Sequence, residues 1–233
     1  MCVDNMIVSA YQPLFAPFLG FFLKAHLSDI MVILDAVQFP QKTSWLTRNR
    51  FKNEQGVLWI SIPVWRKGLG LQTINEVRIC PEGRWMDKHL TSLTYSYANS
   101  PYFKEHLGFL EEIFSGRFEH LIDLNMDIIG YLKKQLKIKT RIILQSSLGV
   151  KGRGNELLVN ICNVLKSSDF LAQDSAKKYL KQELFSSSGI KLHFFSKPSP
   201  IYPQLWGEFI HNLSAFDLIF NCGGKSHDIL FSR

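Results

Sequence analysis

One stretch of the sequence, residues 35–52, concentrates side chains that could bind an anionic ligand. It follows an apolar run that predicts a buried strand, and it combines an acid with amides, hydroxyls, an indole and several cations. Guanidinium groups bind phosphate or carboxylate through paired hydrogen bonds, and an indole offers a flat face to a sugar or a base. The candidate substrate-binding residues here are Gln38, Ser44, Trp45, Arg48, Asn49 and Arg50. A solvated loop whose arginines pair with surface acids would have the same composition, so both interpretations stay open.

A second candidate group, Tyr11 and Gln12, ends the first apolar run, residues 6–10. The carboxyl end of a first parallel strand, facing a helix amino terminus, commonly cradles an anion or a nucleotide. The segment lacks both a glycine fingerprint and a Walker pattern, so a purely structural proline turn at Pro13 explains it equally well.

Two further positions carry reactive groups. Lys88, a candidate substrate-binding residue, and His89 lie at the start of a predicted helix. His89 could act as a general base or a phosphate contact, although a lone helical histidine is more often a surface or capping residue. Cys222 precedes paired glycines, with His227 nearby, and is a candidate nucleophile; a buried, inert thiol is the commoner outcome. The histidines and cysteines show no metal-ligand spacing, so we expect no metal site.

Composition narrows the class of protein. The 233 residues carry a net charge of +7, which favours an anionic partner such as a nucleotide-sugar. Nucleic acid is disfavoured because the basic residues are scattered rather than gathered in a patch. The four cysteines lie far apart, and no basic leader precedes the first apolar run, so we expect reduced thiols in a cytoplasmic protein. Pro13 and Pro17 interrupt the uncharged residues 5–23, so we expect no membrane span.

The hydrophobic pattern predicts the elements that position these residues. Short apolar runs predict strands at 6–10, 30–34, 58–64, 74–79, 141–145, 169–172 and 190–195. Apolar residues spaced three and four apart predict helices at about 18–27, 85–98, 102–115, 119–137, 155–167, 175–188 and 206–220. This order predicts an α/β fold with a mostly parallel sheet of the Rossmann-like or nucleotidyltransferase-like type. We expect one domain over residues 1–233, with a helical insertion at about 84–140.

The sequence resembles the WbqC-like proteins of bacterial surface-polysaccharide gene clusters. The resemblance extends over nearly the whole chain and is most specific between Leu34 and Arg50. The matching residues of the first fifty are Gln12, Pro13, Pro17, Leu19, Gly20, Phe22, Asp29, Leu34, Asp35, Val37, Gln38, Ser44, Trp45, Arg48, Asn49 and Arg50. The chain departs from the pattern at Tyr11, where the family usually has histidine, and at Ala36, where it has a second aspartate. If those family residues are catalytic, these departures imply altered specificity or weakened activity.

The resemblance implies a transferase that attaches glycine or another acyl or aminoacyl group to an amino sugar, which would be nucleotide-linked, during O-antigen synthesis for lipopolysaccharide. Such amide formation requires an activated acyl donor, a base and an oxyanion stabiliser. Under this interpretation Asp35 or His89 is the catalytic base. Arg48, Asn49 and Arg50 contact the anion or oxyanion, and Trp45 faces the sugar.

Two alternatives remain at this point. The opening strand, helix and strand also resemble the nucleotidyltransferase and pantothenate-synthetase superfamily, which would imply an ATP-dependent amide ligase. Tyr11 and residues 18–22 lack the histidine pair of that superfamily, so ATP as a cofactor rests on analogy. The net positive charge alternatively fits a non-catalytic module that binds anions or nucleic acid.

Overall fold

A computed structural model describes residues 6–231. The chain divides into two compact units, each assembled from three separate stretches. The first unit contains the chain up to Gln12, Gly20–Val37 and Ile138–Pro198; the second contains Pro13–Leu19, Gln38–Lys137 and the chain from Ser199 onward. The helices predicted at about 84–140 fall in the second unit. A single domain over residues 1–233 stays a prediction.

The described chain contains seven strands and eight α-helices. The strands are β1 (Ile7–Tyr11), β2 (Ile30–Ile33), β3 (Arg48–Asn53), β4 (Gly56–Ser61), β5 (Arg141–Leu144), β6 (Asp169–Gln173) and β7 (Lys191–Phe195). The helices are α1 (Leu19–His26), α2 (Trp85–Tyr97), α3 (Phe103–Ile113), α4 (Leu121–Gln135), α5 (Gly154–Leu165), α6 (Gln182–Ser187), α7 (Ala215–Cys222) and α8 (Ser226–Phe231). Across residues 6–231, none of these helices combines the length and apolar character needed to cross a membrane.

The first unit is built on a parallel sheet of five strands in the order β5-β2-β1-β6-β7. This result confirms the predicted α/β fold with a mostly parallel sheet. If the five strands are renumbered along the chain, the order becomes 3-2-1-4-5, which matches the first five positions of the Rossmann order.

Both faces of the central strands are covered, which explains their apolar sequences. All four residues of β2 are buried, as expected for a parallel strand packed on both sides. Because side chains alternate along a strand, Val8 and Ala10 of β1 face α5 and α6, where they join a core that contains Leu157 and Phe185. Residues of the opposite parity face α1, and Tyr11 there contacts Phe21.

The second unit contains the antiparallel hairpin of β3 and β4 together with α2, α3, α4, α7 and α8. Strand β3 was not predicted, because its arginines and lysine give it the polar composition of a loop. The alternation of buried and partly exposed side chains becomes visible only in the hairpin: Asn49 and Phe51 are buried, and they alternate with the partly exposed Arg48 and Arg50.

Two sequence predictions in this unit are wrong. Residues 74–79, predicted as a strand, begin with the short 3-10 turn Ile74–Glu76, which Thr73 and Glu76 close through a capping box. The last long helix does not start at 206. It begins at Ala215, because the hydroxyl of Ser214 accepts the backbone N–H of Phe216 and caps the helix there.

Candidate functional site

The parallel sheet reverses its direction of growth between β1 and β6. From β1 the chain adds β2 and β5 on one side of the sheet and then adds β6 and β7 on the other. In open parallel sheets ligands bind beyond the carboxyl ends of the strands at such a reversal, because the connecting segments diverge and leave a crevice. The topology therefore places a candidate site, here called the switch-point crevice, beyond Tyr11 of β1 and Gln173 of β6.

The pairing of β1 with β6 stops before either strand ends. The last paired residues are Ser9 and Leu171, whereas the strands continue to Tyr11 and Gln173. Side chains connect the open ends: the hydroxyl of Tyr11 donates to Oε1 of Gln173 at 3.3 Å. The crevice is thus bordered by polar side chains at the point where the backbone ladder is open.

A buried amine adjoins this border. Nζ of Lys24, on α1, donates to the carbonyl oxygen of Ala10 at 2.8 Å and lies 5.0 Å from the centre of the Tyr11 ring. Lys24 is only 6% exposed, and burial lowers its pKa to about 7. Burial also raises the pKa of Tyr11 to about 12, so its hydroxyl stays protonated at neutral pH. Among the residues that the structure describes, no carboxylate pairs with Lys24.

Acidic and amide groups follow the neighbouring strands on the same edge of the sheet. Asp35, two residues beyond β2, is 1% exposed, and its Oδ1 accepts the backbone N–H of Ser146 at 2.9 Å. Gln145 follows β5, and its buried Oε1 has no hydrogen-bond partner within the described chain. An unsatisfied buried acceptor is costly, so a ligand that donates a hydrogen bond here would remove that cost.

Tyr11 and Asp35, which the sequence predicts as site residues, lie on this edge, whereas Lys24, Gln145 and Gln173 were not predicted. Gln12, also predicted, is half-buried directly after β1. A polar residue at the end of an apolar strand was the signal used for Asp35, and the same signal would have found Gln145 and Gln173. Lys24 could have been noticed as the lone cation of an apolar helix.

A second candidate site lies on the hairpin of the second unit. The residues Trp45, Arg48, Arg50 and Trp59, here called the Trp–Arg surface, stack on one another. The guanidinium of Arg48 lies 4.3 Å from the Trp59 ring and that of Arg50 lies 5.7 Å from the Trp45 ring. The two indoles are 5.5 Å apart, and each is more than 40% exposed. Their exposed rings and the adjacent cations are suited to a planar or sugar-containing anion.

Some hydrogen-bonding groups of this surface have no partner within the described chain. Nη2 of Arg50 donates to the carbonyl oxygens of His211 and Asn212, whereas its buried Nε has no partner in the described chain. The buried Oγ of Ser44 is also without a partner there. Within residues 6–231 neither Arg48 nor Arg50 forms an ion pair with an acid. The surface therefore carries positive charge that an anion could neutralise.

The structure distributes the remaining predicted residues differently. Asn49 is fully buried, and its amide donates to the carbonyl oxygens of Phe15 and Ala16 at 3.0 and 2.7 Å. This geometry gives Asn49 a structural task, holding the segment after β1 within the second unit. Gln38 is exposed and pairs with Thr73 in an isolated bridge.

Lys88 and His89 lie on α2, in the second unit. Lys88 is exposed. Nε2 of His89 donates to the carbonyl oxygen of Ser61 at 2.8 Å, and its ring packs against Trp85 and Phe114. Burial lowers the pKa of His89, so its other nitrogen, Nδ1, is an acceptor at neutral pH. A base at this position stays a prediction.

Cys222, the predicted candidate nucleophile, is the last residue of α7 and is 6% exposed. Burial, reinforced by the negative charge of Asp217, raises its pKa to about 11. The thiol is therefore protonated at neutral pH, whereas nucleophilic cysteines have lowered pKa values. The geometry gives the nucleophile hypothesis no support.

The predicted site is divided between the two units. Tyr11, Gln12 and Asp35 belong to the first unit. The second unit holds Gln38, Ser44, Trp45, Arg48, Asn49, Arg50, Lys88, His89 and Cys222. Across residues 6–231, the side chains of His, Cys, Asp and Glu form no group of three or more that could hold a metal ion.

The fold defines an α/β protein whose five-stranded parallel sheet has a Rossmann-like strand order. A model of the WbqC-like protein family matches residues 12–229. The chain is also 30% identical over 226 residues to an uncharacterized protein of Mycobacterium tuberculosis, Rv1507c, with 96% of each chain covered. No solved structure matches the chain. The chain belongs to the WbqC-like protein family.

Proposed function

We propose that this protein is a cytoplasmic transferase that joins an activated acyl or aminoacyl group to the amine of a nucleotide-linked amino sugar. The product would enter the synthesis of O-antigen or another surface polysaccharide. The observation that carries the proposal is the switch-point crevice, since a parallel sheet of this order binds nucleotides where its growth reverses. Family membership supports the same substrate class through the resemblance described above.

The residues of the crevice suit the proposed reaction. Asp35 is 1% exposed and its Oδ1 is fixed by the N–H of Ser146, so this carboxylate is held in place at the carboxyl edge of the sheet, and we assign it the role of the base. Amide formation breaks the bond between the acyl carbon and its carrier and forms the bond to nitrogen. A base must remove one proton from the attacking amine. Tyr11 and Gln173 provide hydrogen-bonding groups for the nucleotide or sugar.

The Trp–Arg surface supplies separate support for an anionic sugar derivative. An indole ring covers the apolar face of a sugar, while a guanidinium binds phosphate or carboxylate. Both groups are present on the Trp–Arg surface: the indoles are exposed, the arginines are partly exposed, and the arginines form no ion pair with an acid in the described chain. We therefore propose that Trp45 and Arg48 bind substrate.

Mass spectrometry of nucleotide-linked amino sugars, incubated with the protein and activated acyl donors, tests this function. A product heavier by one acyl group is expected, and Asp35→Asn and Arg48→Ala should each reduce its amount at least about tenfold. Glu111→Gln, which changes an exposed acid of α3, is the matched control. Undiminished product in both variants would remove Asp35 and Arg48 from the site, and no product with any donor would contradict the transferase.

Two other functions are distinguishable by observation. The switch-point crevice would equally suit ATP in an amide ligase. Such a ligase predicts pyrophosphate release that depends on a carboxylic acid, and absence of ATP binding by calorimetry would exclude it.

The Trp–Arg surface would suit a non-catalytic module for anions or nucleic acid. That module predicts binding to any oligonucleotide with an affinity that falls steeply as salt rises.

A further inference from the structure

Lys24 is a buried amine at the border of the switch-point crevice, and no acid of the described chain pairs with it. We propose that Lys24 is the anion-responsive amine of this crevice: a nucleoside diphosphate group that binds there supplies the missing counter-charge, and the amine takes up a proton. The proposal rests on the nucleotide site proposed above. It adds a residue and a proton-coupled step that sequence patterns and family membership leave unassigned.

The geometry places the amine beside the reversal of the sheet. The pairing of β1 with β6 ends at Ser9 and Leu171. Nζ of Lys24 donates a hydrogen bond to the carbonyl oxygen of Ala10, the first residue of β1 beyond that pairing. Its Nζ also faces the ring of Tyr11, whose hydroxyl reaches Gln173 across the opening. The amine thus contacts both the backbone and the side chain that border the crevice.

The surroundings explain why this amine is held neutral. From β1 the amine is faced by the carbonyl oxygen of Ala10 and by the ring of Tyr11, the titratable side chain in contact with it. Strand β2 carries only apolar side chains, and Ser28, in the turn after α1, bonds to Ser9 and to the carbonyl oxygen of Lys24. The acid of β6, Asp169, lies at the amino end of that strand and pairs with His193. Burial is the cause that lowers the pKa of Lys24.

A bound anion would reverse this balance. Loss of hydration disfavours the ammonium form, and a nearby opposite charge favours it. Charges inside a protein interact more strongly than in water, so a diphosphate at the carboxyl edge would stabilise a protonated Lys24. Because the free amine is mostly neutral at pH 8, binding there should draw about one proton from the solvent.

Isothermal titration calorimetry with uridine diphosphate tests the proposal. Titrations at pH 8 in two buffers of different ionisation enthalpy give the number of protons exchanged on binding. The wild-type protein should take up about one proton per nucleotide. At pH 6 Lys24 is already charged, so the uptake assigned to it should vanish.

Three variants separate Lys24 from other groups. Lys24→Met should remove the uptake and weaken binding about tenfold, because it deletes the charge. Lys24→Arg should bind uridine diphosphate without the uptake, since a guanidinium is always protonated; it decides the question if the methionine variant fails to fold. Lys139→Met changes an exposed lysine of the same unit, before β5 at the opposite edge of the sheet, and should keep the wild-type uptake.

The two proposals fail in different ways. Binding of uridine diphosphate with no uptake, or with an uptake that Lys24→Arg retains, would overturn the role of Lys24 and leave the nucleotide site intact. No binding of uridine diphosphate to the wild-type protein would overturn the nucleotide site and the role of Lys24 together.

Discussion

Two buried lysines, one in each unit, differ in what surrounds their charge. Lys24 and Lys52 are 6% and 1% exposed. Lys52 lies in a closed polar network: its Nζ donates to Oε1 of Gln204 and to the carbonyl oxygen of Glu208, near the carboxylate of Asp217. Lys24 has one carbonyl partner and no acid in the described chain.

The polar groups of the network around Lys52 form hydrogen bonds with one another. Tyr97 and Tyr202 each donate a hydrogen bond of 2.8 Å to Asp217, and Tyr97 also accepts the backbone N–H of Lys52. Burial raises the pKa of Asp217, while those two hydrogen bonds and the charge of Lys52 oppose the rise. Buried charges that are paired inside a network hold a structure together. An unpaired buried charge beside a crevice is instead available to a ligand.

The largest effect on stability is expected from removing the acid of the network. Asp217→Ala leaves two tyrosine hydroxyls without their acceptor and Lys52 without its counter-charge, so we expect a loss of about 3–5 kcal/mol in the free energy of unfolding. Urea denaturation measures it. Asp174→Ala, which removes an exposed acid, should cost less than about 1 kcal/mol. Equal losses in the two variants would show that the network does not stabilise the second unit.

The next effect depends on pH and concerns Lys24. The folded pKa of about 7 lies below the unfolded value, so the unfolded chain binds more protons between these pH values and stability rises with pH there. From pH 7 to pH 10, the stability of the wild-type protein relative to Lys24→Met should increase by up to about 4 kcal/mol. Urea denaturation of both proteins across this range measures the difference. A difference that stays flat would mean that Lys24 is not desolvated.

A smaller effect distinguishes the two lysines directly at pH 7. Lys52→Met deprives Gln204 and Glu208 of a donor and Asp217 of a nearby charge, so it should lower stability by about 1–3 kcal/mol. Lys24→Met removes one hydrogen bond to the carbonyl oxygen of Ala10 but also a desolvated amine that no acid pairs with, so it should not lower stability. Thermal unfolding of the two variants under the same conditions makes the comparison. The expectation would be contradicted if Lys24→Met lowered the stability more than Lys52→Met does.

The smallest effect is expected on the exposed Trp–Arg surface. Arg48 stacks on Trp59 as Lys24 faces Tyr11, but Arg48 stays in contact with water. Exposed cation–π pairs contribute about 0.5–1 kcal/mol, so Arg48→Ala should lower stability by no more than about 1 kcal/mol. Denaturation measured beside the product assay separates stability from binding. A larger loss would identify Arg48 as a structural residue rather than an exposed ligand contact.

The polar cluster at residues 35–52 shows how far the sequence could predict the site. Its residue types indicated an anion site, and the structure does stack Trp45, Arg48 and Arg50 on one surface. The same pattern could not show that Asn49 points inward, because its direction depends on the alternation of a strand that the charged residues concealed. Nor could it show that Asp35 belongs to a different compact unit.

The sequence by itself determined the class of fold. Apolar runs of four or five residues, alternating with helical periods, specify a parallel sheet because both faces of such strands must be buried. The tertiary structure alone decided the strand order, the open β1 to β6 ladder and the contrast between the two lysines. The physical reason is that a charge is paired or unpaired according to residues far away in the chain. Lys52 meets Asp217 only after folding, and Lys24 meets no acid in the described chain.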